Sequence, residues 1–293
     1  MRVSILAGLI SLAIFIGFGM KMLYKTQYTS IHTSNDTNNH TSNDTNIKTA
    51  HSQTTIKNLA LPAGFVRTVT PKNSFANYLQ NLPLKKIGTN VLTYEGYVAN
   101  TNTSAFAVVD LPIGKKDLLQ CADAVMNLRA RYLYANDQKD AIAFHFVSGF
   151  LCDYTSYAAG NRFVVASNSW AKTAEADNSQ ATFEKYLELV YMYASTLSLQ
   201  KELKTVGNSK DIQIGDVFIK GGSPGHCFIV VDRCENANKK VQFAILQGFM
   251  PAQDMHLLKN SLGTHWFEAG KDCSMEIPYG ELLTDTYHKR FAK

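Results

Sequence analysis

The sequence predicts an α+β fold in which helices pack on one side of an antiparallel sheet. Three strand-like runs, 215–220, 226–234 and 241–249, follow one another with short loops between them, and short connections favour antiparallel pairing. Two long segments with apolar residues at helical spacing precede these runs. No glycine-rich loop follows a strand and opens a helix, so we expect no nucleotide site.

The first 27 residues predict a signal peptide or a membrane anchor. After Arg2, the run from Val3 to Met20 is almost wholly apolar. Its length is just enough to cross a bilayer and long for the core of a signal peptide. Polar sequence follows directly, which argues against a buried core helix. We therefore expect an exported protein of the cell envelope that contacts the membrane through this segment.

Residues 28–58 predict a disordered spacer. The unit His-Thr-Ser-Asn-Asp-Thr-Asn occurs at 32–38 and again at 40–46, and it offers no apolar residue to bury. A single globular domain is then expected over 59–293, which is long enough to bury most of the surface of its extended chain.

The charge of the predicted domain excludes one class of partner. Five of the 29 basic residues and two of the 24 acidic ones lie in residues 1–58, which leaves 24 basic and 22 acidic residues for the domain. Such a nearly neutral domain lacks the basic surface of a nucleic-acid binder. We expect no nucleic-acid partner, and the oligomeric state stays open.

The remaining elements follow in a regular order. Between the second and third strands, a helix is predicted from apolar spacing at Leu118, Cys121, Ala122, Val125, Leu128 and Tyr132. Asp117 is placed to cap its start. A second helix is predicted from about Gln180 to Leu203. Strands are predicted, in chain order, at 91–98, 106–111, 142–147, 162–165, 215–220, 226–234 and 241–249.

The sequence argues against a serine nucleophile and against a metal site. Residues 221–225 match the G-x-S-x-G pattern, but a nucleophilic serine needs a strand-to-helix turn there, and β sequence follows instead. Metal ligands would have to come from scattered residues, namely His226, Cys227, Asp254, His256 and His265. Their spacing matches no recognised pattern, so we expect neither a metal nor another cofactor.

A thiol nucleophile is the third chemistry. Cys121 lies in the first or second turn of its predicted helix, where the helix dipole favours a thiolate. His226 opens a strand after a tight loop, where its ring can serve as the base. Gln247 lies on the next strand and can orient that ring. Because Cys121 also lies on the apolar stripe of its helix, a buried core cysteine is the alternative. The five cysteines are an odd number, so at least one thiol is free unless chains are cross-linked.

The stretch "GDVFIKGGSPGHCFIVVD" (215–232) resembles the strand, loop and histidine-led strand of the NlpC-type and CHAP-type cell-wall hydrolases. These enzymes belong to the papain-like superfamily of cysteine amidases and endopeptidases. The resemblance implies a papain-like arrangement with Cys121, His226 and Gln247 as catalytic residues, in that chain order. Gly215 and Asp216 match the start of the strand before the histidine.

A longer similarity covers most of residues 60–275. The stretches "DLPIGKKDLLQCADAVMNLRARYLY", "YMYASTLSLQKEL", "IGDVFIKGGSPGH" and "GFMPAQDMHLLKN" are similar to an uncharacterised family of exported bacterial proteins, domain of unknown function 4846. That family implies no reaction.

The expected function is cleavage of an amide or peptide bond in cell-wall (peptidoglycan) peptides. Gln253 and Asp254, in "GFMPAQDMHLLKN", are expected to contact the substrate; the alternative is a plain turn. The sequence around Cys121, "QCADAV", departs from the Asp-Cys-Ser/Gly of the hydrolases. A second hypothesis is therefore a non-catalytic binding or assembly module with the same fold.

Overall fold

A computed structural model describes residues 54–292 of the chain. Within these residues, no helix has the length and apolar character needed to cross a membrane. The predicted membrane segment, 1–27, and most of the predicted spacer, 28–58, lie outside the described residues.

The fold begins earlier than predicted. Residues 54–58, expected to belong to the spacer, are part of the folded domain: Thr55 forms a β-bridge with Pro83, and Ile56–Asn58 form one turn of 3₁₀-helix. Ile56 is fully buried in the main core. The sequence signal was weak because Ile56 is a single apolar residue between polar ones, and only tertiary packing reveals its partners.

The described residues contain five α-helices and thirteen strands. The helices are α1 (Phe75–Gln80), α2 (Cys121–Ala135), α3 (Tyr154–Ala158), α4 (Gln180–Tyr193) and α5 (Thr196–Glu202). The strands are β1 (Phe65–Arg67), β2 (Ala105–Val108), β3 (Ala143–His145), β4 (Leu151–Asp153), β5 (Asn161–Val164), β6 (Ser169–Lys172), β7 (Lys204–Thr205), β8 (Val217–Lys220), β9 (His226–Asn236), β10 (Val241–Gln247), β11 (His256–Leu258), β12 (Phe267–Glu268) and β13 (His288–Arg290).

Nine strands form one antiparallel sheet, in the order β2-β11-β10-β9-β8-β13-β7, with β1 also paired to β9 and β12 to β10. The pairs β3–β4 and β5–β6 form two separate hairpins. This architecture confirms the predicted α+β class with a large antiparallel sheet.

The three central strands form the predicted meander. In the β8–β9 hairpin, Lys220 pairs with His226, and the loop 221–225 joins them without a following helix. The G-x-S-x-G pattern is therefore a hairpin loop, as predicted. On the far side of β10, Gln247 pairs with His256 of β11.

Both faces of the central strands are buried. The helices pack on one face, where Leu128 of α2, Val190 of α4 and Ile229 of β9 belong to one core cluster. On the opposite face, Phe228 belongs to a second cluster with residues of the C-terminal segment such as Leu282. Helices on one face were predicted, whereas the covering of the other face by residues 273–283 was not. That segment carries too few periodic apolar residues to predict its place.

The predicted strand at 91–98 was wrong. Leu92 forms a bridge with Val98, and the backbone N–H of Thr93 donates to the carbonyl of Tyr97 at 2.8 Å, so the chain folds back on itself. Gly96 has a φ of +89°, which a turn of this kind requires and which glycine adopts without strain.

The predicted helix over 180–203 is two helices. Ala194 is extended, with ψ at 169°, and ends α4. Ser195 then caps α5, its hydroxyl accepting from the backbone N–H of Leu197 at 3.1 Å. A serine hydroxyl accepts hydrogen bonds from the free N–H groups at the start of a helix. Ser195, followed by Thr196, therefore favours the start of a new helix over the continuation of α4.

Candidate functional site

The site begins at the first residue of α2. The helix starts at Cys121, later than predicted, because Gln120 is extended and its backbone N–H donates to the Asp123 carboxylate at 3.0 Å. Asp117 does not cap the helix: its carboxylate accepts from the backbone N–H of Ala252 at 2.7 Å. Cys121 is thus placed at the positive end of a helix of 15 residues, where a thiolate is favoured.

The surroundings of Cys121 lower the pKa of its thiol to about 5. The largest cause is a hydrogen bond from the Cys227 thiol. Burial opposes it, and a hydrogen bond and positive charge from His226, with the backbone N–H of Ala122, lower the pKa further. Cys121 is partly exposed, whereas Cys227 is fully buried. The thiolate of Cys121 is therefore the stable form at neutral pH.

His226 is held as the first residue of β9 with only 2% of its surface exposed. Its ring stacks on Tyr279 with centroids 4.5 Å apart and packs edge-on against Phe228 at 4.8 Å. The preceding Gly225 has no room for a side chain, since an added Cβ would come within 2.5 Å of Oγ1 of Thr196. These contacts fix the position of the imidazole beside Cys121.

Gln247, the last residue of β10, forms a hydrogen bond with the imidazole ring of His226. Its Oε1 lies 2.8 Å from Nε2 of His226, and the side chain is buried. Gly248 follows, and a Cβ added there would lie 2.7 Å from the carbonyl oxygen of Gln120. Glycine at this position lets the end of β10 reach the start of α2.

The hydrogen bonds continue beyond Gln247. Its Nε2 lies 3.0 Å from Nε2 of His256, and Nδ1 of His256 lies 2.9 Å from the backbone carbonyl of Asp254. His256 is fully buried, and burial lowers its pKa to about 4. It is neutral at pH 7.

A cleft leads to Cys121. It is lined by the start of α2, the turn between α4 and α5, the β8–β9 loop, Met250 and Tyr279, and it has a volume of about 290 Å³. Such a size is at the lower end of the range of small-ligand pockets. Its described lining contains Asp117 and Asp123 but no lysine or arginine.

The structure brings three of the five predicted site residues together. Gln253 and Asp254 do not line the cleft. Gln253 is buried, and its amide donates to Oγ1 of Thr101. Asp254 is buried and forms an ion pair with Lys85, with both oxygens 2.9 Å from Nζ. The expected contact of both residues with a substrate stays a prediction.

Asp216, which matched the start of the hydrolase strand, has a structural role. It is fully buried, with one oxygen 2.6 Å from Nε2 of His288 and the other bonded to the guanidinium of Arg290. These contacts tie the C-terminal strand β13 to the beginning of β8.

Sequence reasoning missed three contributors to the site. His256 was considered only as a metal ligand, and the described residues contain no cluster suited to a metal ion. Cys227 follows His226 directly, and that adjacency was its only signal. Tyr279 had no sequence signal that linked it to the site, because it reaches the site from the C-terminal segment.

The described cysteines are all free thiols, and only Cys121 has a lowered pKa. The fold and site define an α+β protein in which a partly exposed cysteine of lowered pKa lies beside the ends of two central strands of an antiparallel sheet. The chain belongs to the family described as domain of unknown function 4846, which matches residues 56–287, and this confirms the family expected from the sequence. No curated protein and no solved structure matches the chain.

Proposed function

We propose that the protein is a cysteine hydrolase that cleaves amide or peptide bonds. The observation that carries the proposal is the meeting of Cys121, His226 and Gln247 beside an open cleft, with the pKa of the thiol lowered to about 5. A nucleophile, a base and a group that orients the base are the parts that thiol catalysis needs. Perturbed pKa values in a cleft are typical of functional sites.

The chemistry would follow from this geometry. The Cys121 thiolate attacks the carbonyl carbon of the bound amide, and His226 donates a proton to the leaving amine. Water, deprotonated by His226, then attacks the thioester and releases the acid, with the thiol restored. The backbone N–H of Cys121, at the first position of α2, is placed to stabilise the negative oxygen of the tetrahedral intermediates.

The order of the three residues on a helix start, a strand and the next strand supports a papain-like arrangement of the NlpC or CHAP type. On that basis the substrate we propose is a peptide of the cell wall. An exported location, with residues 1–27 as signal or anchor, would bring the domain to this substrate.

The test uses the full-length protein and its Cys121→Ala variant. Soluble peptidoglycan fragments are incubated with each, and the products are analysed by mass spectrometry for new amino and carboxyl ends. We expect cleavage by the wild type and a loss of at least about 10³-fold in the variant, because the nucleophile is gone. Equal cleavage by both proteins would exclude Cys121 as the nucleophile.

A second measurement separates the hydrolase from the binding module. Iodoacetamide at neutral pH should alkylate Cys121 in the folded protein, because the thiolate is formed and faces the cleft. If Cys121 reacts only after unfolding, its sulfur is a core atom, and the non-catalytic alternative is the better description.

A further inference from the structure

The hydrogen-bond chain behind His226 has a single self-consistent set of donors and acceptors. It starts at the backbone carbonyl of Asp254, which can only accept, so Nδ1 of His256 carries a proton. His256 is neutral, and its other nitrogen, Nε2, is therefore a bare acceptor. The group of Gln247 that meets it at 3.0 Å must be the NH₂ end of the carboxamide.

The orientation of the Gln247 amide also fixes the position of one proton on His226. With the NH₂ of Gln247 directed to His256, Oε1 is directed to His226, and an oxygen can only accept. Nε2 of His226 must then carry a proton. The nitrogen that remains to exchange a proton with the Cys121 thiol is Nδ1.

We propose that His256 is a positioning residue: by accepting a hydrogen bond from the Gln247 amide, it directs Oε1 of Gln247 to His226, and this keeps one proton of His226 on Nε2 and leaves Nδ1 to serve Cys121. The inference deepens the hydrolase function proposed above and rests on it for its catalytic consequence. Its hydrogen bonds do not depend on any substrate.

The sheet holds His256 in this role. His256 pairs with Gln247 on one side and with Val108 of β2 on the other, so the position of its backbone is fixed. The charged groups that act on the ring are the Asp254 carboxylate and His226. The Asp254 carboxylate is already paired with Lys85, and the ring of His256 is wholly buried. A reversed Gln247 amide would place its NH₂ against the N–H of His226, a contact between two donors.

The experiment replaces His256 by phenylalanine, which keeps a buried ring but cannot accept a hydrogen bond. Without an acceptor at residue 256, the Gln247 amide is free to reverse, and its NH₂ would then meet the N–H of His226, which weakens the hydrogen bond that holds the ring beside Cys121. We expect the pKa of Cys121, measured from the pH dependence of iodoacetamide alkylation, to rise by about 1, which makes alkylation about fivefold slower at pH 5. His256→Gln, with one acceptor and one donor, should restore most of the rate.

The matched control is His265→Phe. His265 is also buried, and burial likewise lowers its pKa to about 4, but neither of its ring nitrogens has a partner and it lies outside the cleft. This variant should alkylate at the wild-type rate. Equal rates for the His256→Phe protein and the wild type, with both folded, would overturn the proposal.

A second measurement uses no variant of His256, so it can be made even if the His256→Phe protein does not fold. Nitrogen-15 NMR of histidine-labelled protein reports which ring nitrogen carries the proton. In the wild type, His256 should be protonated on Nδ1 alone; in Cys121→Ala, where no thiolate is present, neutral His226 should be protonated on Nε2 alone. His256 protonated on Nε2 would overturn the proposal. Neither measurement depends on enzymatic turnover. The role of His256 is therefore decided by these measurements even if no hydrolase activity is found.

Discussion

Nε2 of His226 lies 2.8 Å from Oε1 of Gln247, although the two residues are 21 positions apart. His226 begins β9 and Gln247 ends β10, and an antiparallel pair places the start of one strand beside the end of the next. The sheet thus joins the proposed base to the amide proposed to orient it, while the proposed nucleophile, Cys121, comes from the start of α2. A change that shifts either element should therefore alter the reactivity of Cys121.

The thiolate of Cys121 should persist to unusually acid pH. Its pKa is lowered from 9.0 to about 5, so the thiolate is formed above pH 5 and is lost as the pH falls through that value. We expect the rate of iodoacetamide alkylation to be nearly flat from pH 6 to 8 and to fall below pH 5. In Cys121→Ala this reaction should be absent, because the four other cysteines are buried and their pKa values are raised. A rate that keeps rising between pH 7 and 9 would contradict the lowered pKa.

Cys227→Ala should make the Cys121 thiol less acidic. The hydrogen bond from Cys227 is the largest cause of the lowered pKa, and alanine removes that donor while leaving His226 in place. The measured pKa of Cys121 should rise, and alkylation at pH 5 should slow. Cys234→Ala is the control, since Cys234 is equally buried in the same core cluster but on a different part of β9. If the two variants gave the same alkylation rate at pH 5, Cys227 would have no special effect on the thiolate.

Gly248→Ala should disturb the site more than the fold. The added Cβ would lie 2.7 Å from the carbonyl oxygen of Gln120 and 3.1 Å from Cβ of Ala124, and backbone cannot swing aside as a flexible side chain can. We expect a loss of about 1–3 kcal/mol in the free energy of unfolding together with slower alkylation of Cys121. The comparison is Gly221→Ala, whose closest contact would be 3.1 Å, to the Thr196 carbonyl oxygen. Unchanged alkylation in folded Gly248→Ala protein would show that α2 tolerates the shift.

Asp216→Ala should destabilise the protein without changing the thiol. The substitution removes the buried carboxylate from Arg290, which keeps its bonds to Asp211, and from Nε2 of the buried His288. Removing one member of a buried charged pair costs about 3–5 kcal/mol, which urea unfolding would detect. Because Asp216 does not line the cleft, the alkylation rate of the folded fraction should match the wild type. A slower rate would place Asp216 within the functional site after all.

His265 should weaken the fold in acid. Burial, with a smaller effect from the Arg67 charge, lowers its pKa from 6.5 to about 4. Between these values the unfolded chain binds the proton more strongly than the folded one, so the stability present above pH 6.5 is lost as the pH falls towards 4, by up to about 1.4 kcal/mol per pH unit. His265→Phe removes this loss. The difference in unfolding free energy between variant and wild type should therefore grow from pH 7 to pH 4.5 in urea titrations. A constant difference would mean that His265 does not titrate in this range.

Residue patterns were informative where the structure is local. Apolar spacing predicted α2, because helical periodicity reflects which side of a helix is buried, and the strand-like runs after residue 214 with short loops between them predicted the three central strands. The same reasoning failed at 91–98, where a turn at Gly96 folds the run back on itself, and at Ser195, where a capping hydroxyl ends one helix and begins another. In both places a single residue outweighed the propensity of its neighbours.

The sequence by itself determined the class of fold, the family and the chain order of Cys121, His226 and Gln247. Tertiary structure alone decided that Cys227 would meet the thiol, that Tyr279 would stack on the imidazole, and that His256 would continue the hydrogen-bond chain from Gln247 to the backbone carbonyl of Asp254. The physical reason is that periodicity records only which face of a segment is buried. Which groups meet at that face depends on strand register and on close approaches such as that of Gly248 to Gln120.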